Sequence, residues 1–182
     1  MGLRGRGKYL DEHCFFVTTT CNKWKPLILL AEAFTLIENS LVFVNEKYKA
    51  ATLGYVLMPN HIHLIIYFKQ ENRLSDYMRD FKKFTSTKIR QLLEQKDHDE
   101  ILNTIKHTDN KRSFQVWQDR FDDVYLTSKI LLERKLDYIH LNPLQEHWSL
   151  VKQAEDYEFS SARFYETGVQ SDLKVVDYRA FF

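Results

Sequence analysis

Apolar positions recur every second residue in some stretches of the chain and at helical spacing in others. Residues 13–21 (His-Cys-Phe-Phe-Val-Thr-Thr-Thr-Cys) are rich in β-branched and aromatic side chains, which suit a pleated strand. Pro26 fits the first turn of a helix, and residues 27–44 carry Leu29, Ala33, Leu36 and Ile37 at helical spacing. Residues 49–58 and 61–68 read as two strands. The tight turn at Pro59-Asn60 makes them antiparallel. Residues 74–95 predict a long second helix, with Ser75 near its start and Tyr77, Phe81, Phe84, Lys88 and Leu92 along or near one side. Residues 96–112 are charged and weakly periodic, which predicts a surface loop with at most a short helical piece. Residues 116–126, with Trp117, Phe121, Val124 and Tyr125, predict a fourth strand. A third helix begins near Thr127 or Ser128, either of which can cap it, and stops at Pro143.

The order strand, helix, strand, strand, helix, strand, added helix is the ferredoxin-like order. It predicts an α+β domain with helices on one face of an antiparallel sheet and the other face free for a ligand. A chain of 182 residues that is 44% hydrophobic and 14% aromatic can bury one substantial core. No apolar run is long enough to cross a bilayer, so no membrane role is expected. The basic start, Met-Gly-Leu-Arg-Gly-Arg-Gly-Lys, lacks the apolar stretch of a secretion signal. Cys14 and Cys21 fall in or beside the first strand. Reduced thiols in a cytoplasmic protein are expected there rather than a disulfide.

A formal net charge of +1 argues against a large surface that coats nucleic acid non-specifically. Local basic clusters remain, at Arg4, Arg6 and Lys8, and at Lys82, Lys83, Lys88 and Arg90. The sharper feature is His61-Ile62-His63 in the third strand. A strand repeats every two residues, so both imidazoles leave one face while Ile62, Leu64, Ile66 and Phe68 leave the other. Two neutral imidazoles on one face make half of a divalent-metal site; the alternative is a polar pair on a solvated sheet face. On the third helix, Leu132, Leu136 and Ile139 form the apolar stripe. Tyr138 and Asn142 are one turn apart on one flank, shared by Leu131 and Lys135, whereas His140 leaves the opposite flank.

Together, Met58-Pro-Asn-His-Ile-His-Leu64, Trp117-Gln-Asp-Arg-Phe121, Asp137-Tyr-Ile-His-Leu-Asn-Pro143 and Asp156-Tyr-Glu-Phe-Ser-Ser-Ala162 resemble the single-tyrosine HUH transposases, and among them the REP-associated tyrosine transposases. The resemblance covers about residues 13–165, so residues 1–165 are read as the transposase-like domain and 166–182 as a tail. It implies cleavage and strand transfer of single-stranded DNA, with hairpins as the recognised form. It further implies His61, His63 and Asn142 as ligands of Mg²⁺ or Mn²⁺, and Tyr138, on the added helix, as the nucleophile. The chain would act as a monomer or homodimer.

The chemistry is coherent with that assignment. A free tyrosine is roughly 0.1% phenolate at neutral pH, a deficit of about 4 kcal/mol that a cation beside the phosphate can offset. Lys135, one turn before Tyr138, is a second source of positive charge. Two imidazoles and an amide make a loose site that water or phosphate oxygens complete, unlike a structural zinc site closed by four protein ligands. Exchange of a phosphodiester for a phosphotyrosyl ester needs no nucleotide fuel, and the chain has no Gly-x-x-x-x-Gly-Lys loop. DNA contacts are expected at Arg4, Arg6, Lys8, Tyr67, Lys82, Lys83 and Lys135, with Tyr67 stacking on a base and Trp117 a core residue. Two other readings are a DNA-binding module without catalysis and a water-using metal phosphodiesterase.

Overall fold

The computed structural model describes residues 13–71, 73–106 and 114–181. Strands β1 (Cys14–Thr20), β2 (Ala50–Leu57), β3 (His61–Phe68) and β4 (Asp122–Tyr125) form one sheet in the order β2-β3-β1-β4, with every neighbouring pair antiparallel. The helices are α1 (Leu27–Leu30), α2 (Phe34–Tyr48), α3 (Leu74–Gln95), α4 (Asp99–Ile105), α5 (Lys129–Leu141) and α6 (Ala162–Thr167). The order and antiparallel pairing are those of the ferredoxin-like arrangement.

The period of two sorts the core into two layers. Ile62, Leu64, Ile66 and Phe68 of β3 join Tyr55 and Leu57 of β2 against Ile37 and Leu41 of α2 and Tyr77, Phe81 and Ile89 of α3. On the opposite face, Phe16, Leu53, Val56 and Ile65 meet Leu132, Leu136 and Ile139 of α5. The expectation of a free second face is therefore corrected: α5 covers β2 and β3. The reason is energetic. The α5 stripe gains roughly 1.5–3 kcal/mol for each Leu or Ile it buries, and the apolar residues on this face offer it that cover. Gly54 lets the helix come close. The β2–β3 register shifts between Thr52 and Gly54, and a Cβ on Gly54 would lie 2.6 Å from Leu136 Cδ1.

The single helix expected over residues 27–44 is interrupted. Ile28 and Leu29 both donate their N–H groups to the Pro59 carbonyl, at 3.1 and 3.3 Å, so α1 is captured by the β2–β3 turn. Glu32 then turns the chain through the left-handed region (φ 51°) before α2 begins, and α2 runs on past residue 44 to Tyr48. The fourth strand is shorter than the expected 116–126. Trp117 is bridged to Cys21 but is drawn into the α3 layer, where its indole N–H donates to Thr85 Oγ1 at 2.9 Å. This bears out its reading as a core residue. Part of the expected loop after α3 is the short helix α4. Ser128 caps α5, accepting from the Leu131 N–H at 3.3 Å.

The chain beyond α5 follows the outer edge of β2. Leu57 donates to the Phe159 carbonyl, Ser161 to that of Tyr55 and Val176 to that of Thr52, each at 2.9 Å. Leu173, Val175 and Tyr178, within residues 166–182, are buried against the same body. Among the described residues no helix is long and apolar enough to cross a membrane.

Candidate active site

His61 pairs with Thr20 and His63 with Thr18 in the β1–β3 register, and both rings project towards the α5 layer. Their centroids lie 4.7 Å apart with the planes at 77°. Each is buried and anchored through Nδ1. His61 Nδ1 lies 2.6 Å from Asn60 Oδ1, and His63 Nδ1 lies 2.8 Å from Thr18 Oγ1. Phe16 stacks on His63 at 5.4 Å, and the Trp148 ring lies 6.1 Å from His61. Burial, with a smaller push from His147, lowers His61 from its ordinary 6.5 to about 4. Burial, followed by the charges of His61 and Lys135, lowers His63 to about 3. Both rings are therefore neutral at physiological pH and keep a lone pair for a cation.

From the opposite layer, α5 brings Tyr138 to the same place. Its ring centroid is 5.3 Å from that of His63 and 6.1 Å from that of Phe16, edge-on to both. The side chain is 44% exposed, so it borders the histidines and still faces solvent. Lys135 Nζ lies 4.5 Å from the Phe16 centroid and 5.8 Å from the Tyr138 centroid. Asn142, one turn beyond Tyr138, ends α5 and is buried. Among the described residues, three buried side-chain polar atoms lack a hydrogen-bond partner: Thr19 Oγ1, His63 Nε2 and Asn142 Oδ1. An unsatisfied buried acceptor costs about 1–3 kcal/mol. The unpartnered Asn142 Oδ1, and His63 Nε2 with the ring proton on Nδ1, fit a cation. No group of three His, Cys, Asp or Glu side chains among the described residues could hold one.

His140 stands apart, as its position on the helix implies: its Nε2 lies 2.8 Å from Ser161 Oγ, and burial lowers it to about 4. The Tyr67 ring lies 4.3 Å from that of Phe181 and stacks on His13 at 5.6 Å. Lys82 and Lys83 belong to α3, in the layer away from the histidines. Lys82 Nζ donates to the carbonyls of Gln118 (2.6 Å) and Asp119 (3.1 Å). With Arg79, Phe114 and Phe121 these lysines border a groove of about 470 Å³. Arg4, Arg6 and Lys8 lie outside the described residues. Thr18 and Asn60, which anchor the two imidazoles, emerge only once the strand register and the turn are known.

The buried histidines set an acid limit on stability. Their folded values lie below the unfolded value near 6.5, so the unfolded chain binds more protons, and stability falls as pH drops through that window. Urea midpoints of the metal-free protein should be level above about pH 7. They should then fall between 6.5 and about 4, the His61 and His140 values, and on towards about 3 for His63. Each tenfold drop in a ring's proton affinity on folding is worth about 1.4 kcal/mol, so the loss should reach several kcal/mol. A profile flat down to the carboxylate range would show that these rings are not buried neutral.

The chain is similar to known proteins in sequence and in fold. Residues 13–142 match the family model for IS200-like transposases. The fold is similar to that of a REP-associated tyrosine transposase solved bound to a REP hairpin. That match has a TM-score of 0.64 and 20% identity, and covers 93% of this chain and 90% of that one. A protein of Deinococcus radiodurans R1 assigned as a transposase aligns with a TM-score of 0.45 and 15% identity, over 75% of this chain and 95% of that one. No curated protein matches the chain. The family match runs from the start of β1 through Asn142 and so takes in the paired histidines and the tyrosine helix: the chain belongs to the IS200-like transposase family.

Proposed function

We propose that this transposase cuts and rejoins single-stranded DNA through a covalent 5′-phosphotyrosine on Tyr138, with hairpin-bearing DNA as its substrate. The observation that carries the reading is the 5.3 Å approach of the Tyr138 ring to His63. The unpartnered His63 Nε2 and Asn142 Oδ1 support it, as does the REP hairpin bound by the structural relative. His61, His63 and Asn142 would hold Mg²⁺ or Mn²⁺, which supplies positive charge to the phosphate as negative charge develops there. All three side chains are neutral, which suits a loosely held, exchangeable ion.

Tyr138 Oη attacks phosphorus, and the new O–P bond forms as the P–O3′ bond breaks. The phenolic proton passes to solvent, and the departing 3′-oxygen takes up a proton to become a hydroxyl. Lys135 keeps a positive charge beside the nucleophile. Attack by a new 3′-hydroxyl on the phosphotyrosine reverses the step and joins the strands, at nearly equal bond energy. Val124 pairs with Phe16 and Asp122 with Thr18, so both β4 residues share the face of the histidines, and both are exposed. The DNA strand would therefore reach Tyr138 over the β4 side, which α5 leaves open. Within one chain the Tyr138 ring reaches that of His63.

The test is adduct trapping with labelled hairpin-bearing single-stranded DNA and Mn²⁺. A denaturant-resistant adduct whose DNA-linked peptide contains Tyr138 is expected. Cleavage without an adduct would instead identify a water-using phosphodiesterase. Binding without cleavage under either metal would identify a binding module.

A further inference from the structure

We infer that Asn60 is a positioning residue: it dictates which nitrogen of His61 carries the proton and leaves Nε2 as the donor for the cation. The inference rests on the metal-dependent reading above and concerns where the proton sits in a neutral ring. An amide can present either end to a neighbour, so its orientation has to be argued from its other contacts. Asn60 Nδ2 lies 2.9 Å from the Trp24 carbonyl, which can only accept. Oδ1 is therefore the end that faces His61 Nδ1, at 2.6 Å. An amide oxygen cannot donate, so the proton must be on Nδ1. A neutral ring then has a bare lone pair on Nε2.

The surroundings hold Asn60 in this role. The Asn60 carbonyl accepts from the Cys21 N–H at 2.8 Å, and the preceding Pro59 carbonyl accepts from Ile28 and Leu29. The Trp24 N–H donates to the Cys21 carbonyl at 3.0 Å, which fixes the carbonyl that reads the amide. The start of α1 and the turn over Asn22–Trp24 thus hold the Pro59–Asn60 turn from two sides. His63 differs. Its partner, the Thr18 hydroxyl, can donate or accept and selects neither form. Groups that orient a ligand histidine in this way typically govern metal affinity by 10–100-fold.

The experiment uses the full chain, metal-free, with ¹⁵N-labelled histidine, and reads the His61 tautomer from two-bond ¹H–¹⁵N correlations near neutral pH. Mn²⁺ affinity is then measured by titration. Wild type should show His61 protonated on Nδ1. Asn60→Ala should admit the Nε2-protonated form and weaken Mn²⁺ binding by about 10–100-fold. Asn60→Asp still sets an acceptor against Nδ1 and should restore the Nδ1-protonated form, although it loses the bond to the Trp24 carbonyl. The wild-type spectrum decides even where Asn60→Ala fails to fold: His61 protonated on Nε2 overturns the inference. An unchanged tautomer or unchanged Mn²⁺ affinity in folded Asn60→Ala does the same. None of these readouts uses DNA. A protein that passes them and forms no tyrosine adduct would retain this inference and lose the proposed reaction.

Discussion

Tyr138→Phe should abolish the covalent DNA adduct and metal-dependent cleavage, by at least about 10³-fold, while hairpin binding and folding survive. The substitution removes the attacking oxygen and leaves the ring. That ring supplies the packing, edge-on to His63 at 5.3 Å and to Phe16 at 6.1 Å. The side chain is 44% exposed, so losing its hydroxyl should change stability by no more than about 0.5 kcal/mol. His63→Ala makes an informative contrast. It would remove a cation ligand and the imidazole against which Tyr138 rests, yet leave the nucleophile. A fall of about 10²–10³ with a residual adduct is expected, the scale of losing one electrostatic stabiliser. Gel-resolved adduct formation and thermal unfolding measured on both variants check this. Cleavage that persists in Tyr138→Phe would mean that water attacks and that the tyrosine only packs.

Which residues share a face with His63 and a flank with Tyr138 follows from two periods that can be read in the chain. A strand period of two puts His61 and His63 on one face, and a helical period puts Tyr138 and Asn142 on one flank while sending His140 to Ser161. What could not be read was how the two layers face each other. The buried stripe of α5 was legible, yet its destination was not, because a stripe states a need for apolar cover and not which surface supplies it. For the same reason the second sheet face looked open. The contact of the Tyr67 ring with Phe181, more than a hundred residues away, has no signature in the sequence either. The interruption after α1 depends on the Pro59 carbonyl reaching across from another turn, a tertiary bond with no local periodic signature. The roles of Thr18 and Asn60 are of this kind as well: each is an ordinary polar residue until the register sets it against an imidazole.

Gly54→Val should unseat the nucleophile from a distance. A Cβ at this position meets Leu136 Cδ1 at 2.6 Å, Ile139 Cδ1 at 3.3 Å and Ile65 Cδ1 at 3.5 Å. In Gly54→Ala the Leu136 methyl, the end of a flexible side chain, can rotate away, and a cost of about 1 kcal/mol is expected. Valine adds two methyl groups where three side chains already converge, so α5 itself has to move outward. Overpacking of this kind costs about 3 kcal/mol, or a fall in Tm of roughly 6–12 °C for a chain of this size. Tyr138 and Asn142 travel with α5, and a displacement near 1 Å at a reacting group costs about 10²-fold in rate. Adduct formation should therefore fall by that factor at temperatures where the variant is fully folded. Leu136→Ala in the same chain opens the space that valine needs, although alone it is destabilising. The double variant should consequently recover at least about 1 kcal/mol relative to the sum of the single losses, and part of the lost adduct rate with it. Strict additivity in both measurements would mean that Gly54 does not set the distance between β2 and the tyrosine helix.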